Sequence, residues 1–422
     1  MRMKHYRFGF MHVIVNASNG EIRYFENETD HDSEYEIFLY QDETFYRPVR
    51  EVRYSIDHYS RATLSINLST KCNFSCRYCF ADHSVGQDFK KMNHLREIIE
   101  TFVRQHRDKK VLFVDLSGSG EPLLHLKEIV RIAKFCRRLS EVYSTSVVVQ
   151  FVTNGYLLTE KTVEVLQKNA VLFGVSVDGT RENHDKNRVL ADGRGTYDVV
   201  RSNLMRIKEK QYLGVSMVLD GTFSGNLLET YLNLLSFAPT ISVKFKRSEC
   251  AEEFKEAHLH LAQEYFGVVL YLSERILEED YALMFAMLNG DDAFGTMISR
   301  VFIGNKVFAR CDGGIARFSY DIEGEVYPCA PSCGDKRYKV EQGNTFYADW
   351  FEKDYCENCE CKYYCGGECP IVKERLKGND PYLCKIRRKL FEYGLWLKAF
   401  CLAHKPEGYT TIRNFIFEKE TR

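Results

Sequence analysis

Residues 62–80 read ATLSINLSTKCNFSCRYCF, a β-prone run that leads directly into three closely spaced cysteines. The cysteines are Cys72, Cys76 and Cys79, in the spacing C-x3-C-x2-C. Soft sulfur ligands suit iron, and a loop this short brings three thiolates to one point. An iron–sulfur cube normally takes four protein thiolates, so this loop would leave one iron open to another ligand. The alternative is a structural zinc loop, although zinc sites usually contain two C-x2-C pairs or a histidine.

A repeating strand–helix pattern begins at Thr63. Strand-like runs occupy 62–69, 111–117, 147–155, 171–179 and 213–221, and amphipathic helical runs occupy 95–106, 129–143, 158–169 and 197–210. This alternation predicts an α/β fold with a parallel sheet or partial barrel. In such folds the chemistry collects on loops at the carboxyl ends of the strands, where the cysteine loop also lies.

The cysteine spacing resembles that of the radical S-adenosylmethionine (SAM) superfamily. The loop Ser119-Gly120-Glu121-Pro122 resembles the superfamily's Gly-Gly-Glu-Pro loop, with a serine in place of the first glycine. The resemblance implies a partial (β/α)6 TIM-like barrel, a 4Fe–4S cluster on the three cysteines and SAM bound at the open iron. It also implies reductive cleavage of SAM to methionine and a 5′-deoxyadenosyl radical, which abstracts hydrogen from an unreactive carbon.

The same resemblance implies which residues meet SAM. A carboxylate or carbonyl at Glu121 would accept from the ammonium group, Arg188 would pair with the methionine carboxylate, and Ser176 would contact the ribose or the carboxylate. The backbone of Phe80 would meet the adenine. Asn154 and Asp178 end neighbouring strands, where turn formation or helix capping explains them equally well. The expected cofactor-binding residues are Phe80, Ser119, Gly120, Glu121, Asn154, Ser176 and Arg188.

A second group of cysteines begins at residue 311 and resembles the SPASM domain, a C-terminal extension of radical enzymes that modify peptides and proteins. Cys311 is followed by twelve residues, Gly324, four residues and Cys329; then come Cys356-x2-Cys359-x5-Cys365-x3-Cys369 and Cys384. The resemblance implies two auxiliary 4Fe–4S clusters of the twitch type, three in all with the SAM cluster. Cys311, Cys329 and Cys369 would hold the first, and Cys356, Cys359, Cys365 and Cys384 the second. A zinc ribbon is the alternative.

Two cysteines exceed this pattern. Cys333, in CAPSCGD, is the candidate fourth ligand of the first auxiliary cluster, because proline and glycine favour a tight turn back toward Cys329. If Cys333 does not bind, that cluster has an open iron to which a substrate thiolate could attach. Cys361 is so close to Cys359 that we expect it not to be a ligand.

The N-terminal 60 residues have a strand-rich composition. FMHVIVNASNGEIRYF, at 10–25, predicts a hairpin with its turn at Asn19-Gly20, an acidic loop follows at 26–36, and 35–49 is again strand-like. This segment would be a leader-peptide docking module or a strand-rich cap. The expected domains are 1–60, the barrel at 61–250, a helical linker at 251–300, the SPASM domain at 301–400 and a tail at 401–422.

Composition and charge argue against nucleic acid and membranes as partners of this protein. The chain has 422 residues and a formal net charge of −1, so no basic field attracts nucleic acid. It has no apolar run of membrane-spanning length and no signal peptide at its start, MRMKHYRFGF. Its 15 cysteines therefore predict reduced metal ligands in a cytoplasmic protein. A radical SAM enzyme would further need an external one-electron donor of the flavodoxin or ferredoxin type.

The leading functional hypothesis is a maturase that installs a thioether or carbon–carbon crosslink in a ribosomally made peptide. One alternative is an anaerobic sulfatase maturase, which forms formylglycine. Enzymes of that family carry an aspartate base directly after the cysteine that matches Cys329, and here that residue is Ala330. They also begin their cluster motif near the N-terminus. A second alternative is a non-catalytic iron–sulfur electron carrier or sensor, which would need no cofactor pocket.

Overall fold

The computed structural model describes residues 3–26, 60–81, 86–89, 94–207, 214–307, 311–340, 356 and 358–421. The acidic stretch after residue 26 and the strand-like run at 35–49 lie outside these described residues. Within them, no helix is both long and apolar enough to cross a membrane.

Six parallel strands form the barrel sheet and hydrogen-bond to one another in chain order. They are β4 (Arg61–Ile66), β5 (Val111–Asp115), β6 (Ser146–Thr153), β7 (Val171–Ser176), β8 (Gly214–Leu219) and β9 (Ile241–Phe245). This order confirms the predicted α/β fold and partial barrel. The sequence pattern identified the first five strands and did not identify β9, which is short and follows Pro239 closely.

Helices alternate with these strands along the chain. They are α1 (Leu95–Gln105), α2 (Leu126–Tyr143), α3 (Glu160–Lys168), α4 (Arg181–Asn187), α5 (Tyr197–Ile207) and α6 (Leu227–Phe237), with a short 3-10 helix at Pro122–His125. Leu112 and Val114 of β5 are fully buried in the core, whereas Phe113 and Asp115 alternate with them and are only partly buried. Strand alternation therefore directs Phe113 and Asp115 to the other, less buried face of the sheet.

The C-terminal region adds two strands to the same sheet. β10 (Arg317–Tyr320) pairs parallel with β4, and β11 (Val326–Tyr327) pairs antiparallel with β10. Cys311 precedes this pair of strands and Cys329 follows it. The sheet thus fixes both cysteines relative to β4, the strand that leads into the first cysteine loop.

The remaining helices form a layer beside the barrel. They are α7 (His258–Leu277), α8 (Ala282–Asn289), α9 (Ala293–Ile303), α10 (Lys362–Cys365), α11 (Pro370–Leu376), α12 (Pro381–His404) and α13 (Pro406–Thr421). The long helix α12 packs against both α7 and α9. Helices on both sides of residue 300 therefore pack against one another.

The N-terminal strands form a separate antiparallel sheet of β1 (Met3–Phe8), β2 (Met11–Asn16) and β3 (Glu21–Glu26). The hairpin predicted at Asn19-Gly20 is confirmed, with Asn16 opposite Glu21. Every residue of β2 is buried, and β2 packs against α12. A Cβ on Gly20, whose φ is +71°, would lie 2.7 Å from the Tyr363 side chain, so only glycine fits this turn.

Candidate active site and cysteine centres

The first cysteine loop follows β4 at the carboxyl end of the barrel. It is held from the opposite side of the barrel, because Arg77 N donates to Asn187 O at 3.0 Å and Ser75 N donates to Val189 O at 2.7 Å. Cys72, Cys76 and Cys79 are all half-buried free thiols. The loop is thus fixed between β4 and the segment that follows α4.

Nitrogen donors and a cation surround these thiols. The Phe74 backbone N donates to Cys72 Sγ at 3.4 Å, and Asn154 Nδ2 lies 3.9 Å from the same sulfur. Burial raises the pKa of Cys76 to about 11, and the charge of Arg188 opposes that rise. Hydrogen bonds to sulfur and a nearby positive charge both favour the thiolate form that iron requires. Metal binding here would accordingly release protons.

The Ser119-Gly120-Glu121-Pro122 loop packs directly on the backbone that leads to Cys72. A Cβ on Gly120, whose φ is +75°, would lie 2.4 Å from Ser69 O, so the close approach requires glycine. Ser119 N donates to Asn67 Oδ1 at 3.2 Å, and Glu121 N donates to Lys71 O at 2.8 Å. These contacts fix the Ser119–Pro122 loop and the start of the cysteine loop relative to each other.

Glu121 is 2% exposed, and its carboxylate accepts three hydrogen bonds from neighbouring segments. Oε1 accepts from Leu123 N at 2.9 Å and from Thr153 Oγ1 at 2.6 Å, while Oε2 accepts from Asn154 N at 2.8 Å. Burial raises the pKa of this carboxyl group, and the three hydrogen bonds counteract the rise. Glu121 therefore joins the ends of β5 and β6 and orients Asn154, whose side chain contacts the cysteine loop.

Arg188 is buried beside Cys76 and is fixed by a carboxylate. Its Nε donates to Asp178 Oδ2 at 3.0 Å, and its guanidinium carbon lies 5.4 Å from the centre of the Tyr78 ring. The Tyr78 hydroxyl also donates to Asp178 Oδ2, and Val218 N donates to Oδ1 at 3.2 Å. Asp178 is thus the residue that orients Arg188, a role that its position at a strand end did not reveal.

His184 extends this network from α4. The Asp178 backbone N donates to His184 Nδ1 at 3.2 Å, which assigns the ring proton to Nε2, 3.0 Å from Thr196 Oγ1. Thr196 Oγ1 in turn donates to Arg188 O at 2.7 Å. Burial, with a smaller contribution from Arg188, lowers the pKa of His184 to about 3. His184 is therefore a neutral hydrogen-bonding bridge between the two ends of the Asp178–Arg188 segment.

The other two predicted cofactor residues lie at the same end of the barrel. Ser176 is the last residue of β7, directly opposite Ser216 of β8. Phe80 follows Cys79, and its side chain is 52% exposed. The structure thus brings Asn154 to Cys72 and Arg188 to Cys76, while Phe80 and Ser176 lie on the adjoining loop and strand.

A larger cavity of about 290 Å³ contains the C-terminal cysteines Cys311 and Cys369, and Cys365 also lines it. Arg247, another lining residue, donates from Nη1 to Cys329 Sγ at 3.7 Å. Burial opposes the charge of Arg247, but Cys369, Cys329 and Cys311 together raise its pKa. The three cysteines expected to hold the first auxiliary cluster therefore surround one guanidinium.

A smaller cavity of about 30 Å³ is lined by the cysteines expected to hold the second auxiliary cluster, Cys356, Cys359, Cys365 and Cys384. Asn379 Nδ2 donates to Cys356 Sγ at 3.5 Å, and Arg388 interacts with Cys359. Cys361 also lines this cavity, and its sulfur lies 3.4 Å from Cys359 Sγ. Five thiols therefore share the space predicted for four ligands.

Cys333 lies next to Cys329 in a small apolar cluster. Its Sγ donates to Ser319 Oγ at 3.5 Å, and burial raises its pKa to about 12. Cys329, Cys333 and Cys369 all pack against the buried side chains of Tyr327, Tyr338 and Ile371. Two expected ligands of the first auxiliary cluster thus share one environment with the candidate fourth ligand.

Each of the three predicted cysteine sets contains a sulfur that receives a nitrogen donor. These sulfurs belong to Cys72, Cys329 and Cys356. Hydrogen bonds of this kind are one way in which proteins tune iron–sulfur clusters.

Sequence reasoning missed most of the side chains that accompany the cysteines. Arg247 follows β9, Asn379 lies in the turn before α12, and Arg387 and Arg388 are on α12. None belongs to a motif around the cysteines that it contacts. For Arg387 a weak signal existed, because it follows Cys384 by one helical turn and so shares its face of α12.

Comparison with known proteins agrees with this geometry. The family model of the Radical SAM superfamily matches residues 66–234, from the end of β4 into α6. A cysteine-type anaerobic sulfatase-maturating enzyme of Clostridium perfringens (strain 13 / Type A) is 22% identical over 359 residues, which are 77% of this chain and 94% of the relative. The radical SAM cyclopropyl synthase TigE of Paramaledivibacter caminithermalis is 24% identical over 359 residues, 76% of this chain and 70% of the relative.

The fold also matches a solved structure. Native anSMEcpe with bound AdoMet and Cp18Cys peptide has a TM-score of 0.65 and 18% sequence identity, over 84% of this chain and 99% of that chain. These matches confirm the resemblance to radical SAM enzymes with a SPASM extension. Residues 66–234 are therefore a radical SAM domain, and the chain is an enzyme.

Proposed function

We propose that this enzyme matures a ribosomally made precursor peptide by installing a thioether or carbon–carbon crosslink. The observation that carries the proposal is the residue after Cys329. Ala330 lies at the active-site end of the barrel, since a Cβ on Gly118 would be 3.5 Å from the Ala330 Cβ. Where sulfatase maturases have an aspartate base, this chain has a methyl group. The proposed chemistry does not require a carboxylate at that position.

Cys72, Cys76 and Cys79 would hold the catalytic cluster, and the residues around it would hold SAM. When bound, the cluster and SAM supply a 5′-deoxyadenosyl radical that removes a hydrogen atom from the substrate. Arg188, oriented by Asp178, would pair with the methionine carboxylate, and Ser176 would offer a hydroxyl group nearby. Asn154, oriented by Glu121, would keep the cysteine loop in place. The backbone of Phe80 would meet the adenine.

The C-terminal cysteines would hold two auxiliary clusters in the cavities described above. Cys311, Cys329 and Cys369 surround Arg247, and Cys356, Cys359, Cys365 and Cys384 line the smaller cavity. An external one-electron donor of the flavodoxin or ferredoxin type would reduce the enzyme. Basic side chains at both cavities, including Arg247 and Arg388, are suited to stabilise anionic thiolate-ligated clusters.

A peptide substrate is supported by the proteins that this chain resembles. A solved structure with the same fold contains a peptide bound together with AdoMet. The partly buried inner positions of the barrel strands include polar residues such as Asp115, Gln150 and Ser216, which can hydrogen-bond to an extended chain. The precursor peptide would enter the barrel past these residues.

Formylglycine formation is the second candidate. It is favoured by the match to the Clostridium perfringens sulfatase-maturating enzyme, which extends over 94% of that relative. The absence of a carboxylate at Ala330 opposes it. The two candidates predict different products, because only formylglycine formation creates an aldehyde.

The test is anaerobic incubation of the reconstituted enzyme with SAM and a reductant. Two substrates are compared: a precursor peptide encoded beside this gene, and a sulfatase-derived peptide that carries the modifiable cysteine or serine. We expect 5′-deoxyadenosine and a precursor that has lost two hydrogens and does not react with a hydrazide aldehyde probe. A hydrazide-reactive sulfatase peptide with an unmodified precursor would instead establish formylglycine formation. The Cys72→Ala, Cys76→Ala, Cys79→Ala triple variant is the control and should form no 5′-deoxyadenosine.

A further inference from the structure

One buried ion pair lies in the wall between the two C-terminal cysteine cavities. Arg387 Nη1 donates to Glu368 Oε2 at 2.7 Å, and Nη2 donates to Oε1 at 3.0 Å. Glu368 is 8% exposed and Arg387 is 6% exposed. Both residues line the larger cavity with Cys311 and Cys369, and both also line the smaller one. The pair is therefore adjacent to both sets of cysteines.

Each member of the pair also interacts with cysteines or their backbone. The Cys369 backbone N donates to Glu368 Oε1 at 2.8 Å, so the carboxylate is fixed to a residue expected to bind the first auxiliary cluster. Arg387 lies one helical turn after Cys384 on α12 and interacts with Cys365 and Cys384 of the second set. The negative member is thus linked to one set and the positive member to the other.

The ion pair does not satisfy every polar group of its own side chains. Its Arg387 Nε has no hydrogen-bond partner in the part of the chain that the structure describes. A buried ion pair contributes little net stability compared with apolar side chains, because desolvation of both charges offsets their attraction. Its position between two cysteine sets therefore points to a role of the charges themselves.

We propose that Glu368 and Arg387 form a matched charge pair that sets the reduction potentials of both auxiliary clusters. The proposal rests on the proposed function, since it requires iron–sulfur clusters on the C-terminal cysteines. Reduction adds one negative charge to a cluster, so a nearby carboxylate disfavours the reduced state and a nearby guanidinium favours it. Water and salt screen these interactions little in a buried site. The effects of the carboxylate and the guanidinium on each reduction potential therefore largely cancel, and removing either charge should shift the potential.

The test is a redox titration of the auxiliary clusters followed by electron paramagnetic resonance. The full-length chain carries alanine at Cys72, Cys76 and Cys79, so that the catalytic cluster does not contribute to the spectrum. We expect Glu368→Gln to increase the reduced-to-oxidised ratio of both auxiliary clusters about tenfold at a fixed potential, equivalent to about 59 mV for a one-electron couple. Arg387→Gln should shift both midpoints in the negative direction, and the double variant should return them toward the parent.

Glu160→Gln is the matched control, because it removes one carboxylate from an exposed position on α3, outside both cavities. It should leave both midpoints unchanged. Unshifted midpoints in both single variants with full iron content would overturn the charge-pair proposal and leave the auxiliary clusters established. Loss of iron from both single variants would also overturn it, since the pair would then be a structural brace. If the parent chain binds no iron at its C-terminal cysteines, the auxiliary clusters are refuted. The charge-pair proposal then fails as well, because it requires those clusters.

Discussion

Buried charged side chains accompany the cysteines wherever the structure brings cysteines together. Asp178 and Arg188 lie beside Cys76, and Glu368 and Arg387 lie between the C-terminal sets. An isolated buried charge is costly, and both Asp178 and Glu368 have an arginine partner. Arg247 instead donates to a sulfur, that of Cys329. Thiolates and arginines at these centres therefore stabilise one another.

The two surplus cysteines allow a test of the proposed ligands. Cys333 packs with Cys329 and Cys369, so replacing it should disturb one auxiliary cluster. Cys361 is buried next to Cys359, but adjacent ligation at a two-residue step would strain the loop or displace Cys365. We expect Cys333→Ala to change the spectrum or stability of one auxiliary cluster, and Cys361→Ala to retain the iron content of both. Iron counts and electron paramagnetic resonance of the two variants measure this.

The opposite results would be informative in different ways. An intact spectrum for Cys333→Ala would support an open iron that faces the substrate. Loss of iron from Cys361→Ala would instead support Cys361 as a ligand, beside Cys359 Sγ at 3.4 Å. Cys136→Ala is a suitable control, because this buried thiol lies on α2 in the barrel core and belongs to neither set.

At the level of single residues, the sequence was informative where chemistry depends on local spacing. The C-x3-C-x2-C loop and the later cysteine spacings identify the groups that the folded chain collects. The partners of these cysteines are different, because Arg247 and Asn379 reach sulfur across 82 and 23 residues of chain. Glu121 was recognised from its loop, yet its role as an acceptor from Thr153 and Asn154 depends on the neighbouring strand. Long-range contacts of this kind leave no local pattern.

At the level of secondary-structure elements, the connection from β7 to α4 positions Arg188. Thr180 caps α4, and His184 on that helix accepts from Asp178 N. The hydrogen bonds of His184 require a neutral ring with its proton on Nε2. This connection therefore depends on the protonation state of one histidine.

We expect the stability of the chain to fall as the pH is lowered below 6.5. The pKa of His184 is about 3 in the folded chain and 6.5 when unfolded, so below pH 6.5 the unfolded state binds a proton that the folded state excludes. The contribution of His184 is fully present above pH 6.5 and is lost progressively as the pH falls toward 3. At pH 5 the loss is about 2 kcal/mol, from about 1.4 kcal/mol per pH unit. Denaturant titrations at pH 7 and pH 5 measure it.

His184→Asn is the matched variant, because the amide oxygen can accept from Asp178 N without titrating. Between pH 7 and pH 5, the free energy of unfolding of His184→Asn should fall by about 2 kcal/mol less than that of the parent. Equal pH dependence in the two proteins would show that His184 does not carry the effect. Both proteins must hold the same amount of iron, since acid also releases metal.

Two of the strands that the sequence pattern did not identify share a physical cause. β9 is five residues long and lacks a continuous apolar run, and β11 has only two residues. Both become strands because a neighbouring strand supplies their hydrogen bonds, β8 for β9 and β10 for β11. In contrast, β5 to β7 consist mostly of apolar residues that include several valines, and they were predicted from their sequence pattern. Short edge strands form through tertiary pairing that a local pattern does not contain.

At the scale of the whole molecule, the C-terminal cysteine region connects the barrel to the N-terminal sheet. β10 extends the barrel sheet beside β4, and α12 packs against β2. The hydroxyl groups of Tyr363 and Tyr364 donate to Ser18 O and Gly20 O at 2.9 and 2.8 Å. Tyr364, which contacts the N-terminal hairpin, immediately precedes Cys365, which lines the smaller cysteine cavity.

This connection predicts that metal binding at the second auxiliary site stabilises the N-terminal sheet. A bound cluster would fix Cys365 and Cys384 together, and so fix α10 and α12 on which the hairpin rests. We expect Cys384→Ala to accelerate amide hydrogen exchange in residues 11–26 by about tenfold or more. That factor corresponds to about 1.4 kcal/mol, which is comparable to one or two neutral hydrogen bonds. Exchange measured by mass spectrometry on anaerobic, iron-loaded protein tests the expectation.

The barrel provides the internal reference for this experiment. Strand β6 lies on the far side of β4 from the cysteine region, so its exchange should not change in Cys384→Ala. A Tyr363→Phe, Tyr364→Phe double variant removes both hydroxyl donors but retains the cysteines, and it should accelerate exchange in 11–26 with iron content unchanged. If exchange in the hairpin stays slow in Cys384→Ala after loss of iron, packing of β2 on α12 suffices to hold the sheet. The N-terminal sheet would then fold independently of the second auxiliary site.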